Sequence, residues 1–127
     1  MKLLRLLTTI MLLALLTACQ APVRPDAGIA PPPAAGLAAG AILIDVRTQA
    51  EWQEGHLQGA LNIPYEKIGA EIARVAPDKQ TRIELYCKSG RRSGIALETL
   101  RQLGYGNAVN NGSVGEASEK LKIPVVK

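Results

Sequence analysis

The arrangement of apolar and polar positions predicts a folded α/β domain over residues 41–127. Residues 41–44 form a short continuous apolar run, which is typical of a strand that is covered on both faces. Apolar patterns between turn residues predict further strands over 60–63, 82–86 and 107–110. Helices are predicted between the strands, over 48–55, 65–75, 93–103 and 113–121. This alternation predicts a small, mostly parallel sheet with helices on both of its faces.

Particular residues define two of these helices more closely. Thr48 and Glu51 have the spacing of a capping box, which predicts a helix that starts after Thr48 and stops near Gly55. The helix over 93–103 has one apolar side, and Gly104 follows its end. The residues on that side are Ala96, Leu97, Leu100 and Leu103.

Residues 1–18 have the pattern of an export signal. A basic stretch with Lys2 and Arg5 precedes an almost wholly apolar run of eleven residues, 6–16. Eleven residues match a signal-peptide core, whereas a transmembrane helix needs about 20. Small residues directly ahead of Cys19 resemble the lipobox of bacterial lipoproteins, which predicts cleavage before Cys19 and its lipidation. Ordinary signal cleavage, with Cys19 incidental, is the alternative.

Residues 19–40 are predicted to form a flexible tether between the lipid anchor and the domain. Five of the eight prolines lie in this segment, mostly among alanine and glycine. Such a segment cannot bury enough apolar surface to offset the entropy of ordering it. Gln20 follows the cysteine in place of aspartate, and by resemblance to enteric lipoprotein sorting this favours the outer membrane. The expected location is therefore the periplasm, at the inner leaflet of the outer membrane.

Charge and composition argue against nucleic acid as a partner. The formal net charge of the full chain is +4, and it falls to +2 without residues 1–18. Aromatic residues make up only 3% of the chain, too few to provide stacking platforms for single-stranded nucleic acid. We expect a monomer that meets the membrane through its lipid anchor only.

Cys87 is the cysteine left for chemistry once Cys19 is assigned to lipid. Small exported domains usually hold their cysteines in disulfide pairs, so an unpaired cysteine indicates a reactive role. The chain has a single histidine, His56, so a cysteine-rich zinc site is excluded. No metal and no organic cofactor is predicted.

Residues 87–93, which we call the Cys87 loop, link a predicted strand to a predicted helix. Ligands bind at the carboxyl ends of strands in an open parallel sheet, and this loop lies there. Gly90 permits a turn whose amides face inward, next to a helix N-terminus. Lys88, Arg91 and Arg92 add positive charge. Such surroundings lower the pKa of a thiol from about 8.5, which predicts a thiolate at Cys87 and an anionic substrate. The alternative is a buried structural cysteine beside a solvated charge run.

Several motifs, in the same order along the chain, resemble the signatures of single-domain rhodaneses, which are thiosulfate sulfurtransferases. The motifs are Ile44-Asp45-Val46-Arg47, Glu51-Trp52, the run from Gly55 to Pro64, and Cys87-x-x-Gly90-x-Arg92-Ser93. The resemblance covers nearly all of residues 41–112, and it is strongest to the small periplasmic rhodaneses of the phage-shock type. The pair at 111–112 is Asn-Gly where many rhodaneses have Gly-Gly, which changes one wall of the expected pocket entrance.

The resemblance implies a rhodanese-like fold and a sulfur-transfer reaction. Cys87 would take the outer sulfur of thiosulfate, or of a related donor, as a persulfide and pass it to cyanide or a thiol acceptor. Amides of the loop would hold that sulfur while its cations attract thiosulfate. The substrate-binding residues implied in this way are Lys88, Ser89, Gly90, Arg91, Arg92 and Ser93. The implied structural residues are Asp45, Arg47, Glu51 and His56, with Arg47 paired to Glu51 and His56 in a turn.

Other functions fit parts of the same pattern. In cysteine-dependent phosphatases and arsenate reductases of this fold, the active-site loop resembles Cys-x5-Arg. Cys87 and Arg92 have the shorter spacing Cys-x4-Arg, which suits a single sulfur. A rhodanese-like binding module commonly lacks the cysteine, which is present here, and a persulfide carrier without turnover is a related alternative. A catalytic pair of Cys87 with His56 is a further alternative, although the loop already supplies the activation.

Overall fold

A computed structural model of the chain describes residues 36–127. The predicted export signal, Cys19 and the tether up to residue 35 lie outside the described residues. Ten elements follow one another, and the strand and helix labels below run in chain order. They are β1 (Ile42–Asp45), α1 (Gln49–Glu54), β2 (His56–Leu57), β3 (Leu61–Asn62), α2 (Ile68–Val75), β4 (Ile83–Cys87), α3 (Arg91–Gln102), β5 (Ala108–Ser113), α4 (Val114–Leu121) and β6 (Val125–Val126).

Four parallel strands form the main sheet in the order β3-β1-β4-β5. The central pair runs in register from Ile42 opposite Ile83 to Asp45 opposite Tyr86. All five residues of β4 are buried, as expected of a strand in a parallel sheet with both faces covered. The predicted α/β class with a mostly parallel sheet is therefore confirmed.

Helices cover both faces of this sheet, and each face has its own apolar cluster. On one face, α2 and α3 bury side chains against β1, β4 and β5; the cluster includes Ile44, Ile68, Ile72, Leu85, Ala96 and Leu100. On the other face, α4 packs with the chain around β2; this cluster includes Leu43, Leu57, Tyr86, Ala117, Leu121 and Ile123. Each buried leucine or isoleucine of these clusters stabilises the fold by about 1.5–3 kcal/mol.

Several boundaries differ from the prediction. Helix α3 begins at Arg91, two residues before the predicted start, and β5 continues to Ser113 instead of stopping at residue 110. Leu103 belongs to the apolar side predicted for α3, yet 41% of its surface is exposed, because the helix ends at Gln102 and the chain turns away. Leu37, within the predicted tether, packs against the cluster around α4.

A small second sheet was not predicted from the sequence. It consists of β2 and β6, which pair antiparallel with His56 opposite Val126. Two residues are too few to show a strand period, so only the tertiary structure reveals this pairing. His56 therefore lies in a short strand, and its predicted place in a turn is wrong.

Candidate active site

Cys87 is the last residue of β4, at the carboxyl end of a central strand. Its surface is fully buried. The chain then turns through residues 88–90 and enters α3 at Arg91. The sheet therefore places the thiol where a parallel sheet meets the N-terminus of the following helix.

Two short contacts hold the sulfur of Cys87. The Gly90 amide donates to Sγ at 2.9 Å, and the Ser93 hydroxyl lies 3.4 Å from Sγ. Gly90 has φ +90°, a left-handed conformation that L side chains rarely adopt. A Cβ at this position would also lie 3.3 Å from the Cα of Gly112, which faces the loop from the end of β5. Glycine is thus required both for the turn and for the close approach of the two segments.

The surroundings of Cys87 lower its pKa below the ordinary thiol value. Burial alone raises this pKa because it disfavours the charged sulfur, but hydrogen bonds to Sγ outweigh burial. They come from the Ser93 side chain and from the backbone amides of Ser93, Ser89 and Gly90. The geometry of the Cys87 loop therefore favours a thiolate.

The positive side chains of the loop have different surroundings. Lys88 and Arg91 are exposed, whereas Arg92 is half-buried in a bidentate pair with Glu51 of α1. Arg92 Nη1 lies 2.7 Å from one carboxylate oxygen of Glu51, and Nη2 lies 2.8 Å from the other. The hydrogen bond from Arg92 is the main reason that the pKa of Glu51 falls to about 2. Arg92 therefore ties the loop to α1 in addition to carrying charge.

Glu51 also completes the helix cap predicted from the sequence. Its carboxylate accepts from the Thr48 amide at 3.1 Å, and its own amide donates to the Thr48 hydroxyl at 3.3 Å. The capping box is confirmed, and it holds the carboxylate in place for Arg92.

The structure contradicts the predicted pairing of Arg47 with Glu51. Arg47 forms an ion pair with Asp45, with Nη2 2.6 Å from the carboxylate, and the same nitrogen donates to the Gly55 carbonyl at 2.7 Å. The chain turns sharply after β1, so the Arg47 side chain folds back onto the strand end, and Glu51 is left for Arg92.

His56 lies apart from the sulfur. Its ring stacks on Trp52 with centroids 3.7 Å apart, and its Nδ1 lies 2.9 Å from the Trp52 carbonyl oxygen. The hydrogen bonds to the Cys87 sulfur come from Gly90, Ser89 and Ser93 instead. The geometry thus gives no support to a catalytic pair of Cys87 with His56.

Asn110 is a site residue that the sequence analysis missed. Its Nδ2 donates to the Gly90 carbonyl at 3.0 Å, and its Oδ1 accepts from the Ser93 hydroxyl at 2.7 Å and the Gly112 amide at 2.9 Å. The pairing of β4 with β5 gains one residue between Asn110 and Ser113, which is a β-bulge. No short sequence pattern predicts that β5 meets the Cys87 loop here, so the sequence alone does not distinguish Asn110 from an ordinary strand residue.

The neighbouring Asn111 points to the other face of the sheet. Its Nδ2 donates to the buried carboxylate of Glu84 at 2.7 Å. Of the Asn111-Gly112 pair, only the Gly112 backbone therefore faces the Cys87 loop. The Asn111 side chain lies at Glu84 on the other face of the sheet.

A surface cleft of about 500 Å³ lies between α1, β3 and α2, and it does not include the Cys87 loop. Its walls include Trp52, Asn62 and Lys67. Cys87 is the candidate active site, because hydrogen-bond donors around a thiol of lowered pKa indicate chemistry more specifically than an open cleft does.

Comparison with known proteins identifies the family of this domain. A profile described as the Rhodanese-like domain matches residues 34–115. The chain belongs to the rhodanese-like domain family.

Residues 36–127 of this rhodanese-like domain contain no cluster of histidine, cysteine and acidic side chains that could hold a metal ion. In the same range, no helix is long and apolar enough to cross a membrane.

Relatives of this rhodanese-like domain include named sulfurtransferases. The thiosulfate sulfurtransferase PspE of Escherichia coli (strain K12) is 39% identical over 84 residues, which are 66% of this chain and 77% of that protein. The solved structure of a rhodanese with anions from E. coli covers 68% of this chain and 96% of its own, at 38% identity and a TM-score of 0.61. The human single-domain sulfurtransferase TSTD1 is similar over 65% of this chain and 84% of its own, at 29% identity and a TM-score of 0.55.

Proposed function

We propose that this chain is a thiosulfate sulfurtransferase that carries sulfur as a persulfide on Cys87. The observation that carries the proposal is the set of donors from Ser89, Gly90 and Ser93 around one buried sulfur. These donors favour the thiolate, which is the nucleophilic form of cysteine. The similarity to PspE, a thiosulfate sulfurtransferase, supports the same reaction.

In the first half-reaction, the Cys87 thiolate attacks the outer sulfur of thiosulfate. A bond forms between Sγ and that sulfur, and the sulfur–sulfur bond of thiosulfate breaks. Its electron pair leaves with sulfite, and the negative charge of the thiolate moves to the terminal sulfur of the persulfide. The new sulfur lies about 2.05 Å from Sγ, so the loop amides are close enough to stabilise its charge.

In the second half-reaction, a nucleophile takes the terminal sulfur. Cyanide attacks this sulfur, the persulfide bond breaks, and thiocyanate leaves while Cys87 returns to thiolate. A thiolate acceptor follows the same course and leaves as a persulfide. Neither half-reaction changes the net charge or requires a further reactant.

The remaining loop residues are proposed to bind the substrate. Lys88 and Arg91 are exposed and attract the dianionic thiosulfate toward the loop. Arg92 contributes charge near the sulfur, but its pair with Glu51 makes it chiefly an anchor of the loop. Asp45 and Arg47 are proposed to brace the end of β1, and His56 to brace α1.

The reaction is tested by the intact mass of the full chain after incubation with thiosulfate. We expect a gain of one sulfur atom that cyanide reverses, and release of sulfite in equal amount. Cys87→Ser should gain no sulfur, whereas Cys19→Ser should gain it as the natural chain does. A Cys87→Ser chain that turns over thiosulfate at the natural rate would disprove the assignment, and faster hydrolysis of an aryl phosphate would favour a phosphatase.

We also propose that the chain is exported and lipidated at Cys19, as a monomer in the periplasm at the inner leaflet of the outer membrane. The support is the pattern of residues 1–18, the small residues before Cys19, and Gln20 after it. The test is the mass of the N-terminal peptide from the membrane fraction, with Cys19→Ser as the control. A peptide that begins before Cys19, or a soluble natural chain, would refute the proposal.

A further inference from the structure

The hydroxyl of Ser93 has three acceptors within reach but only one proton. Its Oγ lies 2.7 Å from Oδ1 of Asn110, 3.1 Å from the Gly90 carbonyl oxygen and 3.4 Å from Sγ of Cys87. A serine hydroxyl donates one hydrogen bond at a time. Ser93 therefore stabilises the Cys87 thiolate only when its proton turns away from the other two acceptors.

Asn110 is the nearest competitor, and its orientation is determined by its other contacts. Its Nδ2 donates to the Gly90 carbonyl, and its Oδ1 accepts from the Gly112 amide. If the amide group were flipped, Nδ2 would face the Gly112 N–H and Oδ1 would face the Gly90 carbonyl, which would create two repulsive contacts. The oxygen of Asn110 therefore points to Ser93.

Two of the three proton positions, toward Asn110 and toward the sulfur, each suit one protonation state of Cys87. With a neutral thiol, the Ser93 proton points to Asn110, whose 2.7 Å distance is typical of a good O–H···O bond. With a thiolate, the proton turns to the charged sulfur, which is the stronger acceptor. Asn110 then keeps its bond from Gly112, so no buried acceptor loses its last partner.

We propose that Asn110 is a positioning residue that controls the Cys87 thiolate indirectly, by competing with the sulfur for the single proton of Ser93. This inference rests on the proposed sulfurtransferase function, because it concerns the nucleophile of that reaction. It adds to the donors of the loop a residue from β5 that contacts the loop and Ser93.

The charged groups that the structure describes around this end of the sheet do not bind the Asn110 side chain. The charged groups at this end of the sheet include Asp45 at the end of β1, Arg47 just after it, Glu51 of α1, Lys88, Arg91 and Arg92 of the loop and α3, and Glu116 of α4. Asp45 pairs with Arg47, Glu51 pairs with Arg92, and the Glu116 carboxylate accepts from the Ser113 amide. Within residues 36–127, the hydrogen-bond partners of the Asn110 side chain are all neutral.

The test is the pKa of Cys87 in the full chain, measured from the ultraviolet absorbance of the thiolate as a function of pH. The Cys87→Ser form of each variant is subtracted, which removes the signal of Cys19 and the tyrosines. Asn110→Leu removes the competing acceptor at similar size, so the Cys87 pKa should fall by about one unit. Asn110→Asp introduces a stronger, charged acceptor, so this pKa should rise by about one unit.

Opposite shifts are expected from the two variants, but the negative charge in Asn110→Asp also raises the Cys87 pKa by direct repulsion, so the fall of the pKa in Asn110→Leu is the essential result. In a Ser93→Ala background, the effect of Asn110→Leu should disappear. Should Asn110→Leu fail to fold, Asn110→Ala is expected to shift the pKa in the same direction. Asn111→Ala is the matched control, since it loses a bond to Glu84 on the other face and should leave the Cys87 pKa unchanged.

Shifts of the same sign in both variants, or a Leu shift that survives Ser93→Ala, would overturn the proposal. These measurements do not depend on sulfur transfer. A chain that forms no persulfide but shows the opposite shifts would refute the proposed reaction alone. A chain that forms the persulfide without these shifts would refute the role of Asn110 alone.

Discussion

Two arginine–carboxylate pairs lie near the carboxyl ends of the central strands, and they differ in burial and in sequence separation. Asp45 and Arg47 are two residues apart, and their side chains are 0% and 9% exposed. Glu51 and Arg92 are separated by 41 residues, with side chains 26% and 19% exposed. The first pair lies within one strand end, whereas the second joins α1 to the Cys87 loop.

The same kind of ion pair therefore has two different roles in this protein. A buried charge is costly without its partner, so Asp45 depends on Arg47 for the stability of the fold. A partly exposed pair contributes little to stability, but a long-range pair restricts where the loop can lie relative to α1. We therefore expect the first pair to matter most for folding and the second for the reaction.

The largest effect on stability is expected for Arg47→Gln. It leaves the Asp45 carboxylate buried without its cation, which should cost about 3–5 kcal/mol of unfolding free energy, measured by urea denaturation. The double variant Asp45→Asn/Arg47→Gln should recover part of this loss, because the buried charge is gone. An equal loss in Arg47→Gln and Arg92→Gln would remove the distinction between the two pairs.

Arg92→Gln should cost only about 1 kcal/mol of unfolding free energy, because water already reaches the pair. Its rate of persulfide formation with thiosulfate should nevertheless fall several-fold, since the loop loses its tie to α1 and a charge near Cys87. Glu51→Gln, which keeps the cation but weakens the tie, separates the two causes. If Arg92→Gln forms the persulfide at the natural rate, the pair of Arg92 with Glu51 has a structural role only.

The smallest effect is expected in the pH dependence of stability. The hydrogen bond from Arg92 is the main cause that lowers the pKa of Glu51 from 4.5 to about 2. A lowered carboxyl pKa contributes stability that is complete above the unfolded value and is lost as the pH falls toward the folded one. Urea midpoints should thus decline between pH 4.5 and about 2, and less steeply in Glu51→Gln and Arg92→Gln. Identical slopes in all three chains would contradict this origin.

Much of the site could be predicted because its signals are local. The Thr48 capping box depends on residues three apart, and the structure contains it as predicted. The turn at Gly90 follows from a glycine between a strand and a helix, and the structure has it at φ +90°. In both cases the decisive contacts lie within one turn of the chain, so the residue order is sufficient.

The two errors differ in range: one concerns an ion pair between residues two apart, and the other concerns contacts between distant segments. Arg47 was paired with Glu51 in the prediction, but the sharp turn after β1 directs it to Asp45. Asn110 escaped notice because its partners Gly90 and Ser93 lie in another segment, which meets β5 only when β5 pairs with β4. Neither the direction of a side chain after a turn nor the register of two strands is encoded in a short sequence window.

The amino-acid sequence by itself determined the α/β class, the Cys87 loop and the helix cap, because apolar periodicity and glycine and capping preferences act over a few residues. Only the tertiary structure decided which carboxylate receives Arg92 and which acceptors share the proton of Ser93. These contacts depend on angles and register between strands and helices far apart in the chain. Packing of the whole sheet sets those quantities, so they emerge only once the fold is complete.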